Sequence, residues 1–240
     1  MTPEKVGFPE QAVNKIVEMA IASQLKKADG LEVRIKTDLN KVAHGQLDSL
    51  VIAIYGVLLQ PNLEAEILQL QIGRVTVKPF SALRGKIKLV HPSEGTFHLV
   101  VNEASFNTAL NTESFHKTLR SHGYADNRDA RIKCLLSDDT ITLTTEPIKN
   151  NTEVPQHFAL VATPEIAPEG QAILLQQVRY LEGQEPSPEF TTALLARMYE
   201  LLSLQDFECQ GMLLQIQQLD VSAGKLTLHA SAHIEQFPSS

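Results

Sequence analysis

Polar and apolar positions alternate from Leu31 onward: Leu31, Val33 and Ile35 take the odd places, Glu32, Arg34 and Lys36 the even ones, up to Leu39. Successive side chains of a strand point to opposite faces, so this stretch predicts a strand with one wet face. The next segment, Gly45–Leu59 (GQLDSLVIAIYGVLL), carries no charge from Leu50 to Leu59 and is interrupted only by Tyr55 and Gly56. A membrane-spanning helix needs about 20 apolar residues, and this run has 10. Its Val, Ile and Tyr content predicts a strand that is apolar on both faces. One face, Ile52 and Ile54, suits a packed helix or an apolar ligand. The other, Val51, Ala53, Tyr55 and Val57, calls for a second layer or a partner, and Gly56 lets the strand bend. Glu66–Ile72 then puts Leu68, Leu70 and Ile72 on one face and Gln69 and Gln71 on the other, and Val75 and Val77 extend it to Pro79.

Helical spacing marks about Glu10–Lys27, where Ala12, Val13, Ile16, Val17, Ala20 and Ile21 form one stripe that stops at Gly30. Short strands follow near Ile87–Val90 and Thr96–Val101. Asn102 is placed to cap a helix Glu103–Leu110, and Thr112 precedes a second helix, Glu113–Ser121. Phe106, Leu110, Phe115 and Leu119 mark their apolar sides. Ser137-Asp138-Asp139-Thr140 is a turn composition between two short strands, Ile132–Leu136 and Ile141–Leu143. A polar connector, 147–155, leads to strands near His157–Ala162 and Ala172–Leu181. Ser187-Pro188-Glu189 is a helix start, followed by Phe190, Leu194, Leu195, Met198, Leu201 and Leu202 at helical spacing. Two long strands, Glu208–Leu219 and Lys225–Ile234, close the chain. The pattern is that of an α+β protein of long antiparallel strands with a few helices. It forms a single domain over 1–240, with room for two sub-structures divided near 147–155.

Composition narrows the function more by exclusion than by assignment. The chain has no Trp, 5% aromatic residues and a net charge of −7, which argues against a base-stacking platform and against general nucleic-acid binding. The first residues lack a basic segment leading into an apolar one, so a cytoplasmic location is expected. Cys134 and Cys209 stand far apart and read as small buried hydrophobes. Gly-rich phosphate loops, HExxH, paired CxxC and nucleophile elbows are absent from the sequence. His229 and His233 would stand roughly 13 Å apart on a strand, too far to share an ion, and are expected to face solvent. No catalytic residue, metal ligand or cofactor is expected.

Charge is unevenly spread. Residues 1–150 hold 18 Lys and Arg against 17 Asp and Glu, whereas 151–240 hold 3 against 11. Arg74, Lys78, Arg84, Lys86 and Lys88 cluster with no acidic residue among them. Such a cluster suits anionic phosphates, or else the solvated face or edge of a sheet.

From Gly73 to Thr112 the sequence resembles the LmeA-like phospholipid-binding family of bacteria. The resemblance rests on Gly45-Gln-Leu-Asp-Ser-Leu50, on Val75-Thr-Val-Lys-Pro-Phe80 and on Ala82-Leu-Arg-Gly-Lys86. It rests also on Asn102-Glu103-Ala-Ser-Phe106-Asn107-Thr-Ala109-Leu110, in that order, and covers about residues 10–145 well. It implies a fold similar to tubular lipid-binding domains of the bactericidal/permeability-increasing class. There a long, strongly twisted antiparallel sheet wraps helices, and acyl chains lie between them. It also implies a phospholipid ligand, anionic by the charge of the basic cluster, and no catalytic residue.

The reading is therefore a non-catalytic phospholipid-binding module at the cytoplasmic face of a membrane. Ile52, Ile54, Leu68, Leu70, Phe97, Leu99, Phe106 and Leu110 are the candidate lipid-lining residues. Arg74, Lys78, Arg84, Lys86 and Lys88 are the candidates for headgroup or membrane contact. The same apolar set suits an ordinary closed core, and the alternative is an interaction or assembly factor whose acidic C-terminal part recruits a partner.

Overall fold

The computed structural model describes residues 14–15, 18–19, 21–22, 28–38, 41, 44–77, 89–121, 131–145, 158–183, 185–208 and 211–235. Among them are β1 (Gly30–Lys36), β2 (Gln46–Leu47), β3 (Ser49–Gln60), β4 (Leu63–Ile72), β5 (Val75–Thr76) and β6 (Ser93–Asn102). Helices α1 (Glu103–Leu110) and α2 (Glu113–Ser121) follow, then β7 (Ile132–Ser137), β8 (Thr140–Thr145), β9 (Phe158–Ile166) and β10 (Ile173–Gly183). The chain ends with α3 (Pro188–Leu201), α4 (Gln205–Glu208), β11 (Met212–Ser222) and β12 (Lys225–Ile234). The α+β class and the antiparallel strands are as the sequence implied. Of the N-terminal helix expected at Glu10–Lys27, the residues described between Asn14 and Ala22 are helical. Its remainder lies outside the described residues. The strand expected from Glu208 begins instead at Met212, because Gln205–Glu208 coils into α4. Gly211, at φ 85°, lies just before β11.

Two sheets carry the fold. One has six strands in the order β1-β3-β4-β6-β12-β11; the other has four, β10-β9-β8-β7. All their pairings are antiparallel. Connector 147–155 lies outside the described residues; β8 and β9, which flank it, are hydrogen-bonded neighbours. Among the described residues, no helix is long and apolar enough to cross a membrane.

The six-stranded sheet has one apolar face, and its register shows why. Val33 lies opposite Ile52, Ile52 opposite Leu70, Leu70 opposite Phe97 and Phe97 opposite Ala230, so one row of side chains crosses five strands. Along β12, Leu226, Leu228, Ala230, Ala232 and Ile234 are buried and the residues between them are not. In β3 and β4 the alternation slips at one level. Leu50, Ile52 and Ile54 are followed by Val57, while Ile72, Leu70 and Leu68 are followed by Ala65 and Leu63, all within the same core. Gly56 makes the slip in β3 with φ 59°, a conformation that L residues avoid, and an added Cβ would lie 2.3 Å from Asp29 Oδ2. Short turns join the hairpins. Pro61-Asn62 has Asn62 at φ 70°, the position of a type II turn that needs positive φ. Asp138-Asp139 and Ala223-Gly224 are pairs with positive φ, the geometry that matches strand twist.

Helix α1 sits between the two sheets. β6 runs into it without a loop, and Asn102, the last strand residue, accepts from Ser105 N at 3.0 Å as the N-cap. Phe106, Ala109 and Leu110 are buried. The other side of α1 is polar and does something the apolar pattern did not announce. Glu103 Oε2 accepts from Leu136 N at 3.0 Å. Asn107 Oδ1 accepts from Cys134 N at 2.7 Å, and its Nδ2 donates to Cys134 O at 3.3 Å. Asn111 does the same for Ile132 N at 3.0 Å and Ile132 O at 2.7 Å. Residues four apart lie on one helix face, so these side chains form a ladder that completes the outer edge of β7.

Other edges are closed by different means. Asn14 Oδ1 accepts from Ile35 N on β1. On β11, Ile216 N donates to Gly170 O and Val221 O accepts from Asp139 N. At the start of β10, Ile173 N donates to Leu202 O. Unpaired edges invite unwanted pairing, and at these points each is met by a neighbouring segment, while β10 beyond its start stays exposed at Gln176, Gln177 and Arg179–Leu181.

Candidate functional site

The eight apolar residues singled out for lipid are all buried, none more than 9% exposed. Six of them form a block on the inner face of the sheet. Ile52 pairs with Leu70 and Leu70 with Phe97, while Ile54 pairs with Leu68 and Leu68 with Leu99. Phe106 and Leu110 meet that core from α1. The sheet and helix thus bring the set together, as one continuous core.

That core holds an apolar void of about 30 Å³ between β6 and β12 on one side and α1 and the α3–α4 junction on the other. Leu99 and Phe106 line it together with Leu63, Val101, Leu226 and Leu228, and with Leu201, Leu202, Leu204 and Phe207. Of the last four, Leu201 and Leu202 belong to the apolar stripe that the sequence predicts for α3, whereas Leu204 and Phe207 lie beyond that stripe. Leu202, the C-cap, carries the stripe one residue past the helix end. Phe207 stands edge-on to Phe97 with ring centres 5.3 Å apart. Ligand pockets measure about 300–1,000 Å³, so the void is about ten times too small for a lipid chain without movement of its walls.

The opposite face of β3 is covered without a further layer among the described residues. Ala53 and Val57 are buried, and Val51 and Tyr55 are half-buried. Val57 belongs to the main core because of the slip at Gly56. The remaining residues of that face lie among Glu32, Arg34, Gln69 and Gln71 on the adjoining strands.

Of the basic cluster, Arg74 is exposed between β4 and β5. Lys78, Arg84, Lys86 and Lys88 lie outside the described residues. The two ends of that stretch meet: Val77 bridges Leu89, and Val90 N donates to Thr76 O at 2.8 Å. Val90, beside this junction, is 42% exposed.

A larger open groove, about 820 Å³, runs between α2, α3 and the β3–β4 turn. Its basic side chain, Arg197, donates to Glu200 Oε2 at 2.9 Å and to Ala109 O at 3.5 Å, and lies 5.9 Å from the centre of the Phe115 ring. Glu189 and Glu200 also line the groove, so it offers no net positive charge to an anion. Arg197 staples α3 to the end of α1.

Among the described residues no three His, Cys, Asp or Glu side chains gather as metal ligands. His98 and His229, paired across β6 and β12, stack with ring centres 4.4 Å apart and planes 7° apart. Burial and the neighbouring His229 hold the His98 pKa below its ordinary value. His233 bonds Glu94. His116 is also lowered, by burial and then by Arg120. Burial, with Glu103 nearby, pushes the Cys134 thiol up to about 12, so it stays protonated as the buried hydrophobe expected of it. Cys209 lies outside the described residues.

Comparison with known proteins adds what the geometry leaves open. The family model for LmeA-like phospholipid binding matches residues 7–231 of the 240. No curated protein and no solved structure matches the chain. The match takes in all four helices named above and both sheets up to the last three residues of β12, and on that extent the chain belongs to the LmeA-like phospholipid-binding family.

Proposed function

We propose that the protein binds a phospholipid without transforming it, holding acyl chain against the inner face of the six-stranded sheet. The observation that carries this reading is the single apolar face running across that sheet, in a member of a phospholipid-binding family. In this reading the sheet wraps its helices in the manner of a tubular lipid-binding domain. Ile52, Ile54, Leu68, Leu70, Phe97 and Leu99 form the sheet wall, with Phe106 and Leu110 opposite. The walls part on binding, since a chain needs far more room than the void gives. Arg74, Lys78, Arg84, Lys86 and Lys88 draw the protein to an anionic membrane surface, at the cytoplasmic face. Lys and Arg near such a surface each contribute about 1 kcal/mol. Carrier and sensor roles both follow from such binding.

Native mass spectrometry of purified protein tests the ligand, and co-sedimentation with vesicles containing phosphatidylglycerol tests the surface. Bound phospholipid is expected, with sedimentation that weakens as salt rises. Protein that carries no lipid and ignores such vesicles at low salt refutes the proposal. The smallness of the void favours a second reading, an interaction factor with a closed core. Stable capture of a protein partner by lipid-free material is the result that would select it.

A further inference from the structure

The void has unequal walls. Leu99, Val101, Leu226 and Leu228 belong to strands hydrogen-bonded on both sides within the sheet. Phe106 belongs to α1, which the β7 ladder fixes. The remaining lining comes from Leu59, Gln60 and Leu63 at the β3–β4 turn, from Ile173 of β10 and from the α3–α4 junction, of which α4 is only four residues long with none of them buried. Ahead of α4 the junction is held by Leu204 N to Gln171 O at 2.8 Å and Ile173 N to Leu202 O at 3.2 Å, whereas α4 itself is tied by Phe207 N to Leu204 O at 3.1 Å, by Gln205 N to Ser203 Oγ at 3.3 Å and by Gln171 Nε2 to Glu208 Oε2 at 3.3 Å. Phe207 is half-buried and packs against the core from this exposed turn. Polar residues, Gln60, Ser203 and Asp206, also border the void.

Resting on the lipid-binding reading above, we infer that the α3–α4 junction is the entrance for one acyl chain, with Phe207 as its plug. Swinging Phe207 away from Phe97 joins the void to the row Phe97–Leu70–Ile52, which gives the chain a path along the inner face. Gln60, Ser203 and Asp206 then form the polar mouth, where the chain leaves the core and the headgroup stays in water. This mouth lies beside the β3–β4 turn, whereas Arg74 follows the far end of β4. Ten residues of strand span about 33 Å, so chain entry and membrane attraction are separate sites.

The test uses the absence of Trp from the chain. Phe207→Trp supplies a single reporter. The variant is incubated with vesicles of phosphatidylcholine and phosphatidylglycerol whose chains carry bromine at carbons 9 and 10, then separated from them by gel filtration. Emission at least two-fold below that of the same variant loaded with unbrominated lipid is expected. In parallel, Leu99→Phe, which fills the void, is expected to lower bound phospholipid at least five-fold without lowering the unfolding midpoint. Phe207→Ala is expected to speed uptake several-fold. Lipid-loaded Phe207→Trp whose emission ignores bromine overturns the inference, as does Leu99→Phe that loads like the parent. Should Phe207→Trp not fold, an unchanged uptake rate in Phe207→Ala overturns it instead. A parent protein that takes up no phospholipid overturns the underlying lipid reading, and is distinguished by that control alone.

Discussion

Replacing Asn107 by Ala should cost far more stability than its half-buried position suggests. The side chain holds Cys134 N at 2.7 Å and Cys134 O at 3.3 Å, and Cys134 is fully buried. A typical hydrogen bond contributes about 1 kcal/mol net, so two set a floor near 2 kcal/mol. Deletion also strands a buried N–H and C=O, and each stranded group costs about 1–3 kcal/mol. Partial rescue by water entering the space of the lost amide brings the expected loss to about 2–4 kcal/mol. Thr108→Ala, on the exposed side of the same helix, should fall within about 0.5 kcal/mol of the parent. Urea unfolding measures both, with a shift of midpoint at unchanged slope as the sign of a pure stability effect. Amide exchange at Cys134 should accelerate in Asn107→Ala. A loss below 0.5 kcal/mol, or Cys134 protection equal to the parent's, would refute the view that α1 completes the β7 edge.

Gly95→Ala should destabilise by about 1–3 kcal/mol, because its Cβ would lie 2.6 Å from the backbone oxygen of Gln71; thermal unfolding reads it. The His98 pKa is lowered in the folded state, so the unfolded chain binds more protons and stability falls as pH drops below the unfolded value of about 6.5. Urea midpoints at pH 7.5 and 5.5 should therefore differ less in His98→Gln than in the parent. In a Cys209→Ser background, Cys134 should resist maleimide until denaturant is added, since its thiol titrates near 12. Reversing Arg84, Lys86 and Lys88 to Glu should weaken binding to anionic vesicles by at least about 3 kcal/mol, roughly 100-fold. Unchanged co-sedimentation would remove the cluster from the mechanism.

The strands were legible because a two-residue period leaves a trace wherever one face is wet and the other buried. β1, β4 and β12 show it, and Ser187 and Asn102 cap α3 and α1 as their composition implied. The slip in β3 and β4 was not legible: it depends on two strands changing phase at one level, and only Gly56 hints at it. The ladder of Glu103, Asn107 and Asn111 was missed for a similar reason. A polar stripe on a helix normally means solvent, and nothing local says that it faces the backbone of a strand about 25 residues onward. Of the candidate site, the sheet wall was readable from periodicity. Its partner wall at Leu204 and Phe207 was not, because a four-residue helix carries no periodic signal.

The residues that carry the family likeness turn out to have one thing in common. Leu47 pairs with Val75, and Val77 N donates to Gly45 O, so Gly45–Leu47 of the first motif and Val75–Val77 of the second meet as one strand pair. Asp48 binds Lys41 Nζ through both carboxylate oxygens at 2.8 Å. Asn102, Glu103 and Asn107 cap and dock α1, and Phe106, Ala109 and Leu110 fill the core beneath it. Where the structure describes them, these motif residues fix backbone or pack. Residues that hold a sheet and the helix packed on it maintain the apolar interior between them. In the lipid-binding reading proposed above, such an interior would recognise a chain of methylenes through contact and water exclusion, which demand no particular residue. In that reading the ligand leaves only a faint mark on the sequence. For the same reason, variation in side-chain volume along the void, as in Leu99→Phe, should govern lipid uptake more than any change of a polar residue in the motifs.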